Sequence, residues 1–480
     1  MNASYPPNTA QFDRQQAVRT ALDRGLHSLA GLGGDLVDHA SRIGAILWSP
    51  PRVVIVGRLK AGKSTLVNAL IGAPVAETAA LEATSVVAVY QDGAPSRAEV
   101  VLLDGSRRPL HLSRGHTADL GVDPEQVAYL HRWLPSAAIR DFTLVDTPGL
   151  ATLTAENEAR TRRVLIDGFE QTRTASVDAD AAVFLFDSAP RADEISFLKQ
   201  LEFTPLNTLG VLSRADGFGE GALGQRNPLE HAIAHARVLA DRLADTVMTV
   251  MPIAGLLAET SHTGALTESD ARALASLTGY GPLEVLDLLD TEAPTVVPAA
   301  VRDRLLDLVG EYGIVHGRDV AARGAATLNE WLTAHSGIPQ LRGVLSQHLG
   351  RFAAVHRASR IIRELDQLAF THPARDQIRA VVDHLRRDPA LHTVVLFEHL
   401  KSMLEADPRS PVTTELRRLL EHLTPAGQLG LPDGAGPDQV RQTAQQKLSW
   451  AHTQALSTLT AAEDAALIVL QHTYSTLAAT

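Results

Sequence analysis

Residues 57–65, GRLKAGKST, constrain this chain more than any other segment because they fit the pattern GxxxxGK[ST]. An apolar run precedes them at residues 52–56, and Leu66 and Leu70 follow at helical spacing. A strand, a glycine-containing loop and a helix in this order bind nucleotide phosphates, since loop amides and the helix N-terminus attract anions. The predicted nucleotide-binding residues are Gly57, Arg58, Leu59, Lys60, Ala61, Gly62, Lys63, Ser64 and Thr65.

The residue types in this phosphate loop have chemical reasons. Gly57 and Gly62 permit the turn and let the backbone approach the phosphates. Lys63 is expected to neutralise the β- and γ-phosphate oxygens, and the Ser64 hydroxyl is expected to ligate Mg²⁺. We therefore predict catalytic roles for Lys63 and Ser64, with a nucleoside triphosphate and Mg²⁺ as the bound species.

A second motif, DTPG at residues 146–149, follows the apolar run 142–145. A carboxylate at the end of a strand can hold Mg²⁺ through water, so Asp146 is predicted as a metal-site residue. The backbone amide of Gly149 is predicted to contact the γ-phosphate, as in other nucleotide hydrolases of this type.

Between these two motifs a switch threonine is expected, because such a residue ligates Mg²⁺ and the γ-phosphate in GTPases. Thr84 is favoured because it directly precedes the apolar run 85–90. Thr78 and Ser85 remain alternatives, and an ordinary loop threonine is the simpler reading. Thr84 is thus predicted as a catalytic and metal-site residue.

A base-reading element is predicted at residues 213–216, SRAD. Asp216 would accept hydrogen bonds from N1–H and the 2-amino group of guanine, two donors that adenine does not offer together. Arg214 would stack over the base, while Ser213 stands where Asn or Thr is usual. An aspartate that merely caps a helix is the alternative. Backbone contacts to the guanine oxygen are predicted for Ala254 and Gly255.

The residue after DTPG is Leu150, where small regulatory GTPases carry a glutamine that orients the attacking water. Leucine cannot form that hydrogen bond, so another group is needed or hydrolysis is slow. Lys60, inside the phosphate loop, is the first candidate for a positive charge along the phosphates. A solvated loop lysine is the alternative, and Arg58 and Arg114 are further candidates.

The periodicity predicts three parts. Residues 1–50 are helical and need a partner, which the C-terminal helices can provide as a neck. Residues 51–260 alternate short apolar runs with helical segments, which is typical of an α/β domain with a mostly parallel sheet. Residues 261–480 show helical stripes, which predict a long all-α neck and trunk with a membrane-contact tip.

Composition excludes several classes of function. Cysteine is absent, so disulfides, thiolate metal sites and a cysteine nucleophile are ruled out. The net charge of −11 argues against nucleic acid as a partner. No apolar run reaches the roughly 18 residues of a membrane span, and residues 1–7 lack a secretory signal. A cytoplasmic location is therefore expected.

Together the motifs resemble those of bacterial dynamin-like GTPases. The resemblance is carried by residues 57–72 (GRLKAGKSTLVNALIG), 144–153 (LVDTPGLATL), 183–200 (VFLFDSAPRADEISFLKQ) and 212–219 (LSRADGFG). It implies hydrolysis of GTP to GDP and phosphate with Mg²⁺, self-association through GTPase heads, and a dynamin-like paralogue as a partner. It also implies that a helical trunk couples hydrolysis to fission or fusion of membranes. Any membrane contact would be peripheral, on the inner face of the plasma membrane.

Residues 342–387 are the predicted contact with anionic membrane lipids, because they hold nine arginines against four acidic residues. The loop 368–373 is a candidate for insertion at a trunk end. The alternative is a solvated helix face, and Phe370 is expected in the core rather than as a membrane wedge. Two other functions stay open, namely a regulatory GTPase switch and a GTP-dependent scaffold that acts on a protein partner.

Overall fold

The computed structural model describes residues 9–58, 60–75, 86–110, 121–123, 126–147, 179–200, 203–291, 296–346 and 350–479. The chain forms two compact units, one that combines Met1–Ser49 with Gly350–Thr480 and one that spans Pro50–Leu349. The predicted boundary at residue 260 therefore lies inside the second unit. Helices between this point and residue 346, which were expected in the trunk, belong with the sheet.

The regular secondary structure in the described residues of the first unit is entirely helical. Numbered along the whole chain, these are α1 (Thr9–Ala30), α2 (Leu36–Trp48), α12 (Gly350–Thr371), α13 (Arg375–Arg387), α14 (His392–Ala406), α15 (Pro411–Glu421), α16 (Pro425–Gln428), α17 (Pro437–Gln454) and α18 (Ala461–Ala479). The buried Arg357 of α12 donates hydrogen bonds to the carbonyls of Ile46 (2.9 Å) and Ser49 (2.6 Å) at the end of α2. The last carbonyls of a helix have no partners within that helix, so Arg357 satisfies carbonyls that α2 leaves open. The contact also joins the N-terminal helix α2 to the C-terminal helix α12.

One expectation for the basic segment, residues 342–387, is wrong. Phe370, expected in the core, lies in the last turn of α12 with 81% of its surface exposed. The arginines lie in different environments, since Arg357 is buried and Arg342, in the second unit, donates to the carbonyl of Ala69 (3.0 Å). Several well-exposed arginines instead lie on α13, namely Arg375, Arg379 and Arg386.

The second unit is built on a nine-stranded sheet in the order β4-β3-β5-β2-β6-β1-β7-β8-β9. The strands are β1 (Arg52–Gly57), β2 (Ala88–Asp92), β3 (Arg97–Leu102), β4 (Arg107–Leu110), β5 (Val127–Leu134), β6 (Thr143–Asp146), β7 (Ala181–Phe186), β8 (Thr208–Leu212) and β9 (Val250–Pro252). From β6 to β9 all neighbours are parallel, while β2 is antiparallel to β6 and β3 is antiparallel to β4 and β5. The predicted α/β fold with a mostly parallel sheet is confirmed.

Strands β4 and β5 lie entirely outside the predicted apolar runs. Strand β4 is an edge strand whose Arg107, Arg108 and Pro109 are exposed, a composition that only an edge tolerates. In β5 the buried Leu130 and Leu134 flank polar residues, so the apolar run is interrupted. Pairing with neighbouring strands, rather than local composition, makes these segments strands.

Helices cover both faces of the sheet. The helices of this unit are α3 (Lys63–Ile71), α4 (Ala192–Gln200), α5 (Pro228–Arg242), α6 (Gly255–Thr263), α7 (Glu268–Ala275), α8 (Pro282–Asp290), α9 (Ala299–Ala321), α10 (Ala325–Ser336) and α11 (Ile338–Val344). Leu66 of α3 packs with Ile55 in one core cluster, and Leu239 of α5 packs with Phe184 in another. Across the described part of the chain, no helix combines the length and hydrophobicity needed to cross a bilayer.

Candidate nucleotide-binding site

The phosphate loop lies at the carboxyl end of β1, in the middle of the sheet and directly before α3. Gly57 pairs with Leu185 of β7, and a Cβ at position 57 would lie 2.4 Å from the Leu185 carbonyl oxygen. Gly62, which precedes α3, has a φ of 92°, a value that L side chains rarely adopt. Both glycines are therefore required by the backbone, and the loop presents the N-terminus of α3 to an anion.

Lys63 is buried within this loop. Its Nζ donates hydrogen bonds to the carbonyl oxygens of Gly57 (3.1 Å) and Arg58 (2.8 Å). Burial lowers the pKa of Lys63, and the nearby carboxylate of Asp146 opposes this shift. Phosphate oxygens would be stronger partners for this ammonium group than neutral carbonyls are, because charge-assisted hydrogen bonds are the stronger kind.

Asp146 ends β6, the strand beside β1. Its Oδ1 is buried and has no hydrogen-bond partner within the residues that the structure describes. Burial raises the pKa of Asp146 to about 6, while the Lys63 ammonium opposes the rise. A buried carboxylate oxygen without a donor suits a magnesium ion or its bound water. Ser64 is exposed in the first turn of α3, so its hydroxyl is accessible for the same role.

The predicted base-reading residues follow β8. The buried Ser213 donates its amide hydrogen bond to the Phe186 carbonyl (2.8 Å), and its hydroxyl points to the same oxygen (3.2 Å). Asp216 is half-buried, and burial raises its pKa while Arg214 opposes the rise. The amide of Ala215 donates to the carbonyl of Ile253 (3.2 Å), which brings this segment beside the one that follows β9. Ser213 is thus engaged within the fold, which leaves Asp216 as the group suited to read a base.

The segment after β9 lies between the loop helix and the helices that follow the sheet. The Ala254 amide donates to the carbonyl of Ser336 (3.0 Å), and a Cβ at Gly255 would lie 3.3 Å from Cγ2 of Thr65. The structure therefore brings Ala254 and Gly255 close to α3. The predicted residues Leu59, Thr84 and Gly149, together with the alternatives Thr78, Ser85 and Arg114, lie outside the described residues.

Two residues near these segments were not predicted. Glu194 in the first turn of α4 is buried and binds the Arg58 guanidinium through both carboxylate oxygens, at 2.7 and 2.6 Å. Gly310 in α9 faces the base-reading segment, because a Cβ there would lie 3.9 Å from Oδ2 of Asp216. No local sequence pattern marks either residue, since both contacts join segments far apart in the chain.

Comparison with known proteins identifies the family of this chain. Residues 52–209 match the family model described as "50S ribosome-binding GTPase". The isoniazid-induced protein IniC of Mycobacterium tuberculosis is 31% identical over 431 residues, which cover 83% of this chain and 84% of the relative. The isoniazid-induced protein IniA of the same organism is 31% identical over 137 residues, or 25% of this chain and 20% of that protein.

Among solved structures, one is described as an oligomerised bacterial dynamin pair that provides a mechanism for the long range sensing and tethering of membranes. It aligns with 99% of this chain and 74% of its own chain, at 12% identity and a TM-score of 0.35. The assignment depends instead on the IniC relative, which spans most of both chains, and on the GTPase family model. The chain binds and hydrolyses GTP, and it belongs to the IniC family of bacterial dynamin-like GTPases.

Proposed function

We propose that this GTPase couples GTP hydrolysis to remodelling of anionic membranes, by fission or fusion, through its helical unit. The observation that carries the proposal is the exposed Phe370 in the last turn of α12, which directly precedes the cationic helix α13 in the chain. In this proposal the protein is cytoplasmic and binds the inner face of the plasma membrane peripherally. GTPase heads associate with each other, and a dynamin-like paralogue takes part in the assembly.

For the hydrolysis we propose distinct roles for the loop residues. Lys63 neutralises charge on the phosphates, Ser64, Thr84 and Asp146 hold Mg²⁺, and Gly149 contacts the γ-phosphate. Bound Mg²⁺ would supply charge neutralisation between the β- and γ-phosphates. Asp216 accepts two hydrogen bonds from guanine, and Lys60 places a positive charge along the phosphates in place of the missing glutamine. The Oδ1 of Asp146, which has no hydrogen-bond partner among the described residues, and the buried Lys63 support this assignment.

The charge and shape of α13 favour a lipid surface as the partner. Its Ile378, Val382 and Leu385 are buried, so the helix is anchored by one face. The segment from residue 370 to residue 387 contains four arginines and two aspartates, a net charge of +2 within a chain of net charge −11. A bulky aromatic side chain next to such a cationic helix suits the headgroup region of an anionic bilayer.

One such segment is expected to bind an anionic bilayer only weakly. Assembly of several copies would therefore be needed for stable membrane binding. Each unit of positive charge near an anionic bilayer contributes about 1 kcal/mol, and burial of one phenylalanine contributes about 2 kcal/mol. Roughly 4 kcal/mol corresponds to a dissociation constant near 1 mM. Stable membrane binding then needs several copies, because linked sites gain avidity from effective concentration. Head-to-head association driven by GTP would provide these copies.

The experiment is the GTP turnover rate per molecule as a function of protein concentration, with phosphatidylglycerol liposomes, with neutral phosphatidylcholine liposomes and without lipid. The proposal predicts a rate that rises with concentration and rises further with the anionic liposomes alone. A rate that responds to neither variable would refute membrane remodelling and favour a regulatory switch. A rate that rises with concentration and ignores lipid would favour a GTP-dependent scaffold.

A further inference from the structure

Arg58, a residue of the phosphate loop, forms a well-buried salt bridge with Glu194. Arg58 donates from Nε to Oε1 (2.7 Å) and from Nη2 to Oε2 (2.6 Å) of Glu194. The Arg191 amide donates to the same Oε2 at 2.8 Å. The side chain of Glu194 is 4% exposed and that of Arg58 is 19% exposed, so both groups are largely withdrawn from water. Such bidentate contacts fix orientation as well as distance.

This contact is continuous with the lysine of the loop. The carbonyl oxygen of Arg58 accepts the hydrogen bond from Lys63 Nζ (2.8 Å), so one residue joins Glu194 through its side chain and Lys63 through its backbone. Strand β7, which leads to α4, lies beside β1, which leads to the loop. The neighbouring strands therefore carry Glu194 and Arg58 to the same edge of the sheet.

We infer that Glu194 is a positioning residue for the phosphate loop. Through Arg58 it holds the loop backbone in the conformation that receives the nucleotide phosphates, and the Arg58 guanidinium stays on Glu194 instead of contacting phosphate. A loop that is already ordered loses less conformational entropy when nucleotide binds. Because the loop contacts phosphates common to GDP and GTP, the pair supports binding of both nucleotides. Its loss should therefore raise Kd and KM and leave kcat nearly unchanged.

The competing arrangement is that Arg58 leaves Glu194 and binds phosphate when GTP is present. The two arrangements predict opposite effects for Glu194→Gln. If Glu194 positions the loop through Arg58, Glu194→Gln and Arg58→Gln weaken binding in the same way. If Arg58 is a phosphate ligand, Glu194→Gln releases it, and nucleotide affinity or kcat rises while Arg58→Gln lowers them.

The test measures Kd for fluorescent mant-GDP and mant-GTP, with KM and kcat for GTP, in both single variants and in Arg58→Gln/Glu194→Gln. We expect each single change to weaken both nucleotides roughly tenfold or more, because removal of one partner leaves a buried group unpaired. The double variant should bind no more weakly than the weaker single variant, since the two residues act as one unit. Tighter binding or a higher kcat in Glu194→Gln, or multiplied effects in the double variant, would overturn the inference.

Two further variants separate positioning from general loss of stability. Arg304→Gln breaks another bidentate pair of the same unit, with Asp270 (2.7 and 3.0 Å), and should leave the Kd for mant-GDP within about twofold of the parent protein. Glu194→Asp keeps the charge and should bind mant-GDP more tightly than Glu194→Gln does. The comparison holds if the two variants have the same midpoint of denaturant unfolding. Equal losses of affinity in Arg304→Gln and Glu194→Gln would reduce Glu194 to a structural residue and overturn the inference.

Discussion

Arg214 donates a hydrogen bond from Nη2 to the backbone oxygen of Lys60 at 2.9 Å, and both residues have positive φ angles, 55° and 65°. Throughout the described ranges of the chain, no other residue except glycine has a positive φ. Each such conformation costs on the order of 1 kcal/mol, and strain of this kind concentrates at functional sites. The contact joins the predicted base-reading segment to the phosphate loop, so the strain is located where the two parts of the candidate site meet.

Lys60 can be tested with a pair of substitutions that differ in backbone freedom. Lys60→Gly should raise the free energy of unfolding by about 0.5–1 kcal/mol because glycine adopts this φ freely, whereas Lys60→Ala keeps the strain. Both variants remove the ammonium group and keep the carbonyl that accepts from Arg214. If Lys60 stabilises charge on the phosphates, kcat should fall roughly a hundredfold in both. Denaturant unfolding and GTP turnover check these effects, and an unchanged kcat in both variants would leave Lys60 without a catalytic role.

Asp146→Asn should increase the stability of the protein without metal at pH 7 and impair its binding of Mg²⁺ with GTP. The pKa of about 6 lies above the ordinary value of 3.8, so the folded protein without metal loses stability as the pH rises from about 4 to 6. The variant lacks this carboxyl group and should be more stable than the parent protein at pH 7, by up to about 3 kcal/mol, and similar to it at pH 4.

Denaturant unfolding of both proteins without nucleotide at the two pH values gives the comparison. Addition of Mg²⁺ and GTP should reverse the order, because only the parent protein keeps the carboxylate proposed to hold the metal. A variant that is less stable than the parent protein at pH 7 without metal would show that other groups already stabilise the buried Asp146 carboxylate. Normal GTP turnover in the variant would exclude Asp146 from the metal site.

Asp216→Asn should change the preferred base. The amide can no longer accept two hydrogen bonds from guanine, but it can pair with the 2-oxo group of xanthine. We expect kcat/KM for GTP to fall roughly a hundredfold and that for xanthosine triphosphate to rise. Displacement of bound mant-GDP by GTP and by xanthosine triphosphate gives the ratio of their affinities at equilibrium. The control Lys63→Ala should lose binding of both nucleotides, because it removes a phosphate contact that they share. Unchanged selectivity between GTP and xanthosine triphosphate in Asp216→Asn would assign base reading to another group.

Phe370→Ser tests the proposed membrane contact against a matched surface change. Leu456, in the turn between α17 and α18, is 88% exposed, and the helix that follows it begins with the acidic residues Glu463 and Asp464. Neither substitution removes a core contact, so both should change the free energy of unfolding by less than about 0.5 kcal/mol. We expect Phe370→Ser to weaken sedimentation with phosphatidylglycerol liposomes at least roughly tenfold, and Leu456→Ser to have little effect. The reverse order would place the membrane contact at the α17–α18 turn.

The phosphate loop could be predicted because its requirements are local. Gly57, Gly62 and Lys63 are adjacent in the chain, and the spacing between them follows from backbone geometry and phosphate chemistry alone. Buried parallel strands are similarly visible as apolar runs, which is why the predicted run 52–56 coincides with β1 nearly to the residue. Strand β4 was not predicted, because an edge strand with exposed arginines has no apolar run to reveal it.

The sequence by itself determined the fold class, the loop that binds phosphate and the candidates Asp146 and Asp216, because short segments encode these features through residue type and spacing. Only the tertiary structure decided which distant groups meet. Glu194 reaches Arg58 across 136 positions, and Phe370 is exposed although its helix carries an apolar stripe. Burial and ion pairing depend on how helices and strands pack over long chain separations, and composition within a window of a few turns does not contain that information.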